Sequence, residues 1–185
     1  LSGEVNPSGK LPFFFFLKLS DNGANAFGAT SYPGVNLQQT YEEDILVGYR
    51  WFDTKKIKPL YEFGYGLSYT TFELGRVVVD KKAYAKGDMI TLKVDVKNTG
   101  KVKGAEVVQL YAKDVKSSVV RPEKELKGFE KVELEAGQTK TVTLQIPVES
   151  LAFYDDKKSD WNLEAGQFEL LVGTSSRLIV QKAMI

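Results

Sequence analysis

Three groups of residues have the types and spacing for chemistry on a ligand. The first is the carboxylate run Glu42-Glu43-Asp44. Like charges held close together raise a pKa and can turn a carboxyl into an acid. Such runs also serve as solvated loops or helix N-termini, and that plainer reading carries more weight. The second is the ring series Tyr41, Tyr49, Trp51, Phe52, Tyr61, Phe63, Tyr65, Tyr69 and Phe72. Flat rings stack on the apolar faces of sugars, and they also fill cores and domain seams. Gly48, Gly64 and Gly66 allow close backbone approach there, so a seam is the preferred reading. Arg50 lies among rings and acids, where a structural ion pair is expected. The third is Asp155-Asp156-Lys157-Lys158-Ser159-Asp160-Trp161, a polar turn in which lysines and solvent keep Asp160 ionised.

The rest of the composition narrows the chemistry. There is no histidine and no cysteine, which removes the commonest general base near neutral pH, the Ser-His-Asp triad, disulfides and thiolate chemistry. A typical zinc site is also excluded by residue type, and neither metal nor cofactor is expected. Acid-base work would fall to Asp, Glu, Tyr or Lys. Lysines are interleaved with glutamates and the net charge is +1, so no basic face for nucleic acid is expected. The longest apolar run, Leu11 to Leu17, is interrupted by Pro12 and ends at Lys18, well short of the roughly 20 residues that cross a bilayer. No membrane partner is expected. The chain opens Leu1-Ser2-Gly3 without Met and without a signal-peptide pattern, so it reads as the interior of a larger protein.

The elements that would position these residues fall into two textures. From about 73 to 185 the chain alternates apolar and polar residues between turns. Ile90, Leu92, Val94 and Val96 against Thr91, Lys93, Asp95 and Lys97 give one face of a half-buried strand, and Asn98-Thr99-Gly100 turns it. Val107–Tyr111 reads as a strand apolar on both faces, followed by a long connection from Lys113 to Pro122. Strands are also expected over 126–134, 142–146, 168–172, 178–183 and 77–80, with a short piece at 151–154. Seven or eight short strands over about 110 residues fit an immunoglobulin/fibronectin type III-like sandwich. Residues 1–72 are irregular: Phe13–Phe16 reads as a buried strand, and 20–40 as loop. Twenty structureless residues argue against an autonomous domain. The expectation is a mainly β chain, 73–185 forming the sandwich and 1–72 the tail of an α/β domain whose body lies elsewhere.

Five strings then resemble the C-terminal part of family 3 glycoside hydrolases. They are Asn6-Pro7-Ser8-Gly9-Lys10-Leu11-Pro12; Val47-Gly48-Tyr49-Arg50-Trp51-Phe52-Asp53; Pro59 to Thr70, with Phe63-Gly64-Tyr65-Gly66-Leu67-Ser68-Tyr69-Thr70 at its end; Arg121-Pro122 with Glu125-Leu126-Lys127-Gly128-Phe129; and Trp161 with Glu164-Ala165-Gly166-Gln167-Phe168 and Val172-Gly173-Thr174-Ser175-Ser176. Their order spans nearly the whole chain. Tyr65 stands where that family often has His, and Ala136 and Ala165 where it often has Pro before Gly. The resemblance implies a β-glucosidase-like parent that cleaves glycosides with retention, using two carboxyls about 5–5.5 Å apart. It implies that both lie upstream of this chain, so no catalytic residue is assigned here. Ser159-Asp160-Trp161 spells the string around the family's nucleophile, but its polar-turn context argues against that role. The resemblance also places the acidic run near the sugar-facing side, where Glu43 or Asp44 would stand just behind the groups that touch the sugar; Glu43, and Trp51 among the rings that could stack on a sugar, are the candidate substrate-binding residues. Trp161 is expected to pack on the sandwich. The implied partners are the N-terminal catalytic domains of the same enzyme, and the glycoside through them. An alternative is a carbohydrate- or protein-binding β-sandwich without catalysis.

Overall fold

The computed structural model describes residues 2–185. Two sheets pack face to face. In one, the central strand β3 (Met89–Asn98) pairs on one side with β1 (Phe72–Leu74) and β2 (Val78–Val79), and on the other with β6 (Thr139–Pro147). In the other the order is β10 (Ile179–Met184), β9 (Phe168–Gly173), β4 (Gly104–Asp114), β5 (Glu125–Leu134), all antiparallel. A separate hairpin joins β7 (Phe153–Asp155) to β8 (Asp160–Asn162). This is the expected fibronectin type III-like sandwich.

The period-two pattern builds the core. Ile90, Leu92, Val94 and Val96 face Val142, Leu144 and Ile146 within their sheet. They meet Val108, Leu110, Leu170 and Val172 from the other, and all of these are buried. Each such side chain contributes about 1.5–3 kcal/mol by leaving water. Asn98, predicted as a turn, is the last residue of β3 and fully buried. Its Oδ1 accepts from Thr70 Oγ1 at 2.6 Å, and its Nδ2 donates to the carbonyl of Val102 at 2.8 Å. That network holds the end of the first region against the sandwich.

The outer face of the second sheet is covered by residues 2–71, and this explains why β4 reads as apolar on both faces. Val108, Leu110 and Ala112 point into the core, whereas Gln109 and Tyr111 point outward and are still buried. The cover includes two short helices, α1 (Gly23–Ala26) and α2 (Tyr49–Thr54). Several expectations are corrected. Phe13–Phe16 is no buried strand: Phe15 forms a single bridge with Tyr61, and Phe13, Phe15 and Phe16 are exposed. Alternation is absent there, and only Phe14 turns inward, its ring 4.3 Å from that of Phe52. The piece at 151–154 divides into a 3-10 turn, Val148–Leu151, and β7. No helix is long and apolar enough to cross a membrane among the described residues.

Candidate functional site

The richest constellation lies where residues 2–71 meet the sandwich. At its centre is Asp53 on α2, with its side chain only 5% exposed. Its carboxylate takes Lys124 Nζ at 2.7 Å and Arg177 Nε at 3.0 Å. Arg177 Nη2 also donates to the carbonyls of Phe52, at 3.0 Å, and Ile57, at 2.6 Å. A cation among the carbonyls at a helix C-terminus is favourable. Thr54 Oγ1 accepts from the Glu123 amide at 2.9 Å, and Tyr49 Oη accepts from the Leu126 amide at 2.7 Å. The Tyr49 ring stacks on Phe63 at 5.1 Å and meets Tyr111 edge-on at 5.8 Å. Burial, first of all, pushes the Tyr111 hydroxyl far above its ordinary range, so it stays protonated and donates to Gln109 Oε1.

Gly64 crosses this seam at φ +82°, and a Cβ there would come within 2.5 Å of Gln109 Nε2. Only glycine meets both demands. Beyond it the Ser176 amide donates to the Phe63 carbonyl at 2.9 Å, and Ser175 Oγ donates to Glu62 Oε1 at 2.9 Å. At the other edge Asn6 Oδ1 accepts from the Tyr69 amide at 2.8 Å, while its Nδ2 donates to the Lys103 carbonyl at 2.9 Å. Lys10 pairs with Glu106 at 2.6 Å. Residues of all five strings therefore meet here: Asn6 and Lys10, Tyr49 to Asp53, Phe63 and Gly64, Leu126, and Ser175 and Ser176, joined by Lys124, which lies between the two parts of the fourth string.

The two candidate substrate-binding residues sit together near this seam. Trp51 is buried: its Nε1 donates to the Asp21 carbonyl at 3.0 Å, its ring meets Phe27 edge-on at 5.5 Å, and it clusters with Leu46 and Phe52. Its faces are spent on packing. Glu43 lies beside it, since a Cβ on Gly23 would touch both, and Glu43 Oε2 is buried without a hydrogen-bond partner. Two further expectations are corrected. Arg50 makes no ion pair among the described residues, because the nearby Glu125 is already taken by Lys127 and Arg121. Trp161 does not pack on the sandwich: it is 68% exposed on the β7–β8 hairpin, edge-on to Tyr154 at 5.8 Å.

Asp160 is exposed and accepts from the Trp161 amide at 2.7 Å. Its partner across the hairpin, Asp155, is held below the ordinary carboxylate range, chiefly by a hydrogen bond from Lys158.

A second cluster surrounds Arg121, which the sequence shows in the long connection and in the fourth string but without a role. Its Nη1 donates to the Leu151 carbonyl at 2.8 Å and reaches Asp114 Oδ2 at 3.4 Å, and its Nη2 lies 3.3 Å from Glu125. Burial opposes charge on Glu125, but the hydrogen bond and charge of Lys127, with Arg121 and Arg50, outweigh it and hold its carboxyl below the ordinary range. Burial, helped by the charges of Arg121 and Arg50, pushes the Lys127 ammonium down.

Residues 106–176 match the family described as fibronectin type III-like domain. A β-glucosidase of Bacteroides ovatus is 52% identical over 176 residues, covering 95% of this chain and 24% of the relative. A thermostable β-glucosidase of Acetivibrio thermocellus is 51% identical across 100% of the chain and 24% of its own length. The chain belongs to the family 3 glycoside hydrolases. It is the C-terminal part of such an enzyme and spans about a quarter of the length of the relatives it matches. A solved β-glucosidase from Streptomyces venezuelae in complex with D-glucose superposes with a TM-score of 0.91 at 41% identity, over 99% of this family 3 chain and 23% of that one.

Proposed function

We propose that this chain is the structural C-terminal portion of a retaining β-glucosidase-type enzyme, and that it seats the domains that carry the catalytic carboxylates. The division near residue 72 separates the end of an α/β domain from the sandwich. The observation that carries the reading is the asymmetry of apolar surface. Phe13, Phe15, Leu17, Leu19, Tyr41 and Val47 are all exposed on the first region, although that region is pinned to the sandwich by the seam. Contiguous exposed apolar surface marks an interaction site, and the rest of the enzyme is the partner that accounts for it. Glycoside is reached through those domains. Trp51 serves the fold of the first region, and Glu43, with one buried carboxylate oxygen unpartnered, faces the docked domains. The sugar is chosen elsewhere: a relative from Bifidobacterium breve named exo-α-(1→6)-L-arabinopyranosidase matches 99% of this chain at 40% identity, alongside the β-glucosidases.

The test is an aryl β-glucoside assay of the 185-residue chain beside the full-length enzyme. The chain alone is expected to be inactive, and the full-length enzyme to release the sugar with its anomeric configuration kept. Turnover by the chain that survives purification and vanishes in Asp160→Asn would overturn the reading.

A further inference from the structure

We infer that the outer edge of residues 14–16 receives an extended strand from the preceding part of the same enzyme, joined to it by main-chain hydrogen bonds at Phe14 and Phe16. This rests on the docking reading above and names the kind of segment that docks on one part of that surface.

Residues 14–16 are paired on one side only. The Phe15 amide donates to the Tyr61 carbonyl at 2.8 Å, and the Phe15 carbonyl accepts from the amides of Leu60, at 2.7 Å, and Tyr61, at 3.3 Å. The rings meet at the i, i+2 spacing of extended chain. Phe13 lies 5.2 Å from Phe15, and Phe14 lies 6.5 Å from Phe16. In a paired extended chain, a residue that turns its N–H and C=O to one neighbour is flanked by residues that turn theirs the opposite way. Phe14 and Phe16 therefore present two donors and two acceptors away from Tyr61. None of these four groups has a backbone partner among the described residues. Main-chain groups that leave water must be paired, and an added strand supplies donors and acceptors at the matching spacing.

The sequence here is that of a covered edge. Edges that stay in water are blunted by charged residues, especially Lys, or by Pro. Phe13 to Leu17 runs through five apolar residues without a charge, and Pro12 and Lys18 fall outside it. Phe16 and Leu17 are nevertheless exposed. A helix laid on this edge would cover the rings but leave the four main-chain groups unanswered, because its own amides and carbonyls bond within the helix. A second copy of the chain offers the same kind of edge, but only at its bulk concentration. About three quarters of the relatives' length lies outside this chain. A strand from that part is tethered to this edge and has a far higher effective concentration.

The experiment compares the 185-residue chain with the full-length enzyme by hydrogen exchange read at single residues over 13–17. Hydroxyl-radical footprinting reads the rings of Phe13, Phe16 and Tyr61 in parallel. In the isolated chain the Phe15 amide is expected to be protected, and those of Phe14 and Phe16 to exchange freely. In the full-length enzyme the Phe14 and Phe16 amides slow by roughly a hundredfold or more, because they now open only when the added strand leaves. Two variants of the full-length enzyme separate main chain from ring. Phe16→Pro removes a donor and is expected to speed Phe14 exchange by about tenfold or more, whereas Phe16→Ala removes only the ring and leaves Phe14 slow. Should Phe16→Pro fail to fold, the wild-type amides decide. Rings shielded in the full-length enzyme while the Phe14 and Phe16 amides exchange as in the isolated chain overturn the strand and leave the docking reading standing. Equal effects of the two variants on Phe14 overturn it as well. Equal labelling of the rings in both proteins sinks the docking reading itself. Protection that appears only as the protein concentration is raised makes a second copy the occupant and overturns the proposal.

Discussion

The two regions of this chain solve opposite problems. The sandwich builds its core between its own two sheets. Ile90, Leu92 and Val96 in one sheet and Leu110, Leu170 and Val172 in the other are fully buried. Residues 2–71 bury only Leu46, Trp51 and Phe52 as a cluster of their own and leave most of their large apolar side chains exposed. They are fastened to the sandwich through Asp53, Tyr49, Gly64, Asn6 and Lys10, mostly by hydrogen bonds and ion pairs. The lesson is that order and burial are separate properties. A segment can be positioned by polar locks to a neighbour while its apolar residues are kept for a different surface.

Four changes test that contrast, from the largest effect down. Asp53→Ala leaves Lys124 charged with its side chain only 9% exposed. Removing one partner from a buried pair costs about 3–5 kcal/mol. Hydrogen exchange is expected to show the amides of 49–57 losing protection while β3, β4 and β9 keep theirs, because the loss is of docking. Leu170→Ala opens a cavity between the sheets and costs about 2–5 kcal/mol. Urea unfolding should show both regions melting together, since the first region has no sheet to rest on once the sandwich opens. If the two regions separate in these experiments in the reverse sense, the assignment of which one supports the other is wrong.

The third change concerns pH. Glu125 is held below its ordinary 4.5 in the folded chain. Below that value the unfolded chain binds the proton more readily, so stability falls as the pH drops through the window. Above it the contribution is fully present. Glu125→Gln is expected to flatten this part of the acid limb of a stability-against-pH curve, and an unchanged acid limb would contradict the assignment. The smallest effect is Trp161→Ala, which should shift the isolated chain by less than about 0.5 kcal/mol because the ring is mostly in water. A large loss in urea unfolding would mean that the hairpin helps hold the sandwich.

Much of the sandwich was legible because strand periodicity is a local property. Each of the strands 89–98, 139–147 and 168–173 carries its inward set at alternate positions, and a one-residue error would turn the whole set outward; strand 125–134 does so only at Val132 and Leu134. The first region carries no such signal. Phe13–Phe16 looks like a buried strand by composition, yet apolar content says nothing of which face is covered and by what. Trp161 was misplaced for the same reason. Its neighbours in sequence match a fibronectin-like module, but the hairpin lifts it off the sheet. Arg50 was given an ion pair because acids are near it in sequence, whereas in space Glu125 was already claimed.

The sequence alone determined the alternation that makes a two-sheet sandwich. It also excluded thiol and imidazole chemistry, and it displayed the strings that mark the family. Those follow from residue type and from spacings of two to about ten residues, which local sterics and hydrophobicity govern. Only the tertiary structure decided that these strings meet at one seam, that Asp53 is shared by Lys124 and Arg177, and that the outward-facing Tyr111 and Gln109 are buried. It alone left the outer edge of residues 14–16 unpaired. Contacts such as Asp53 with Arg177 join residues far apart in the chain, and their energies depend on burial and on competing partners that no linear spacing encodes.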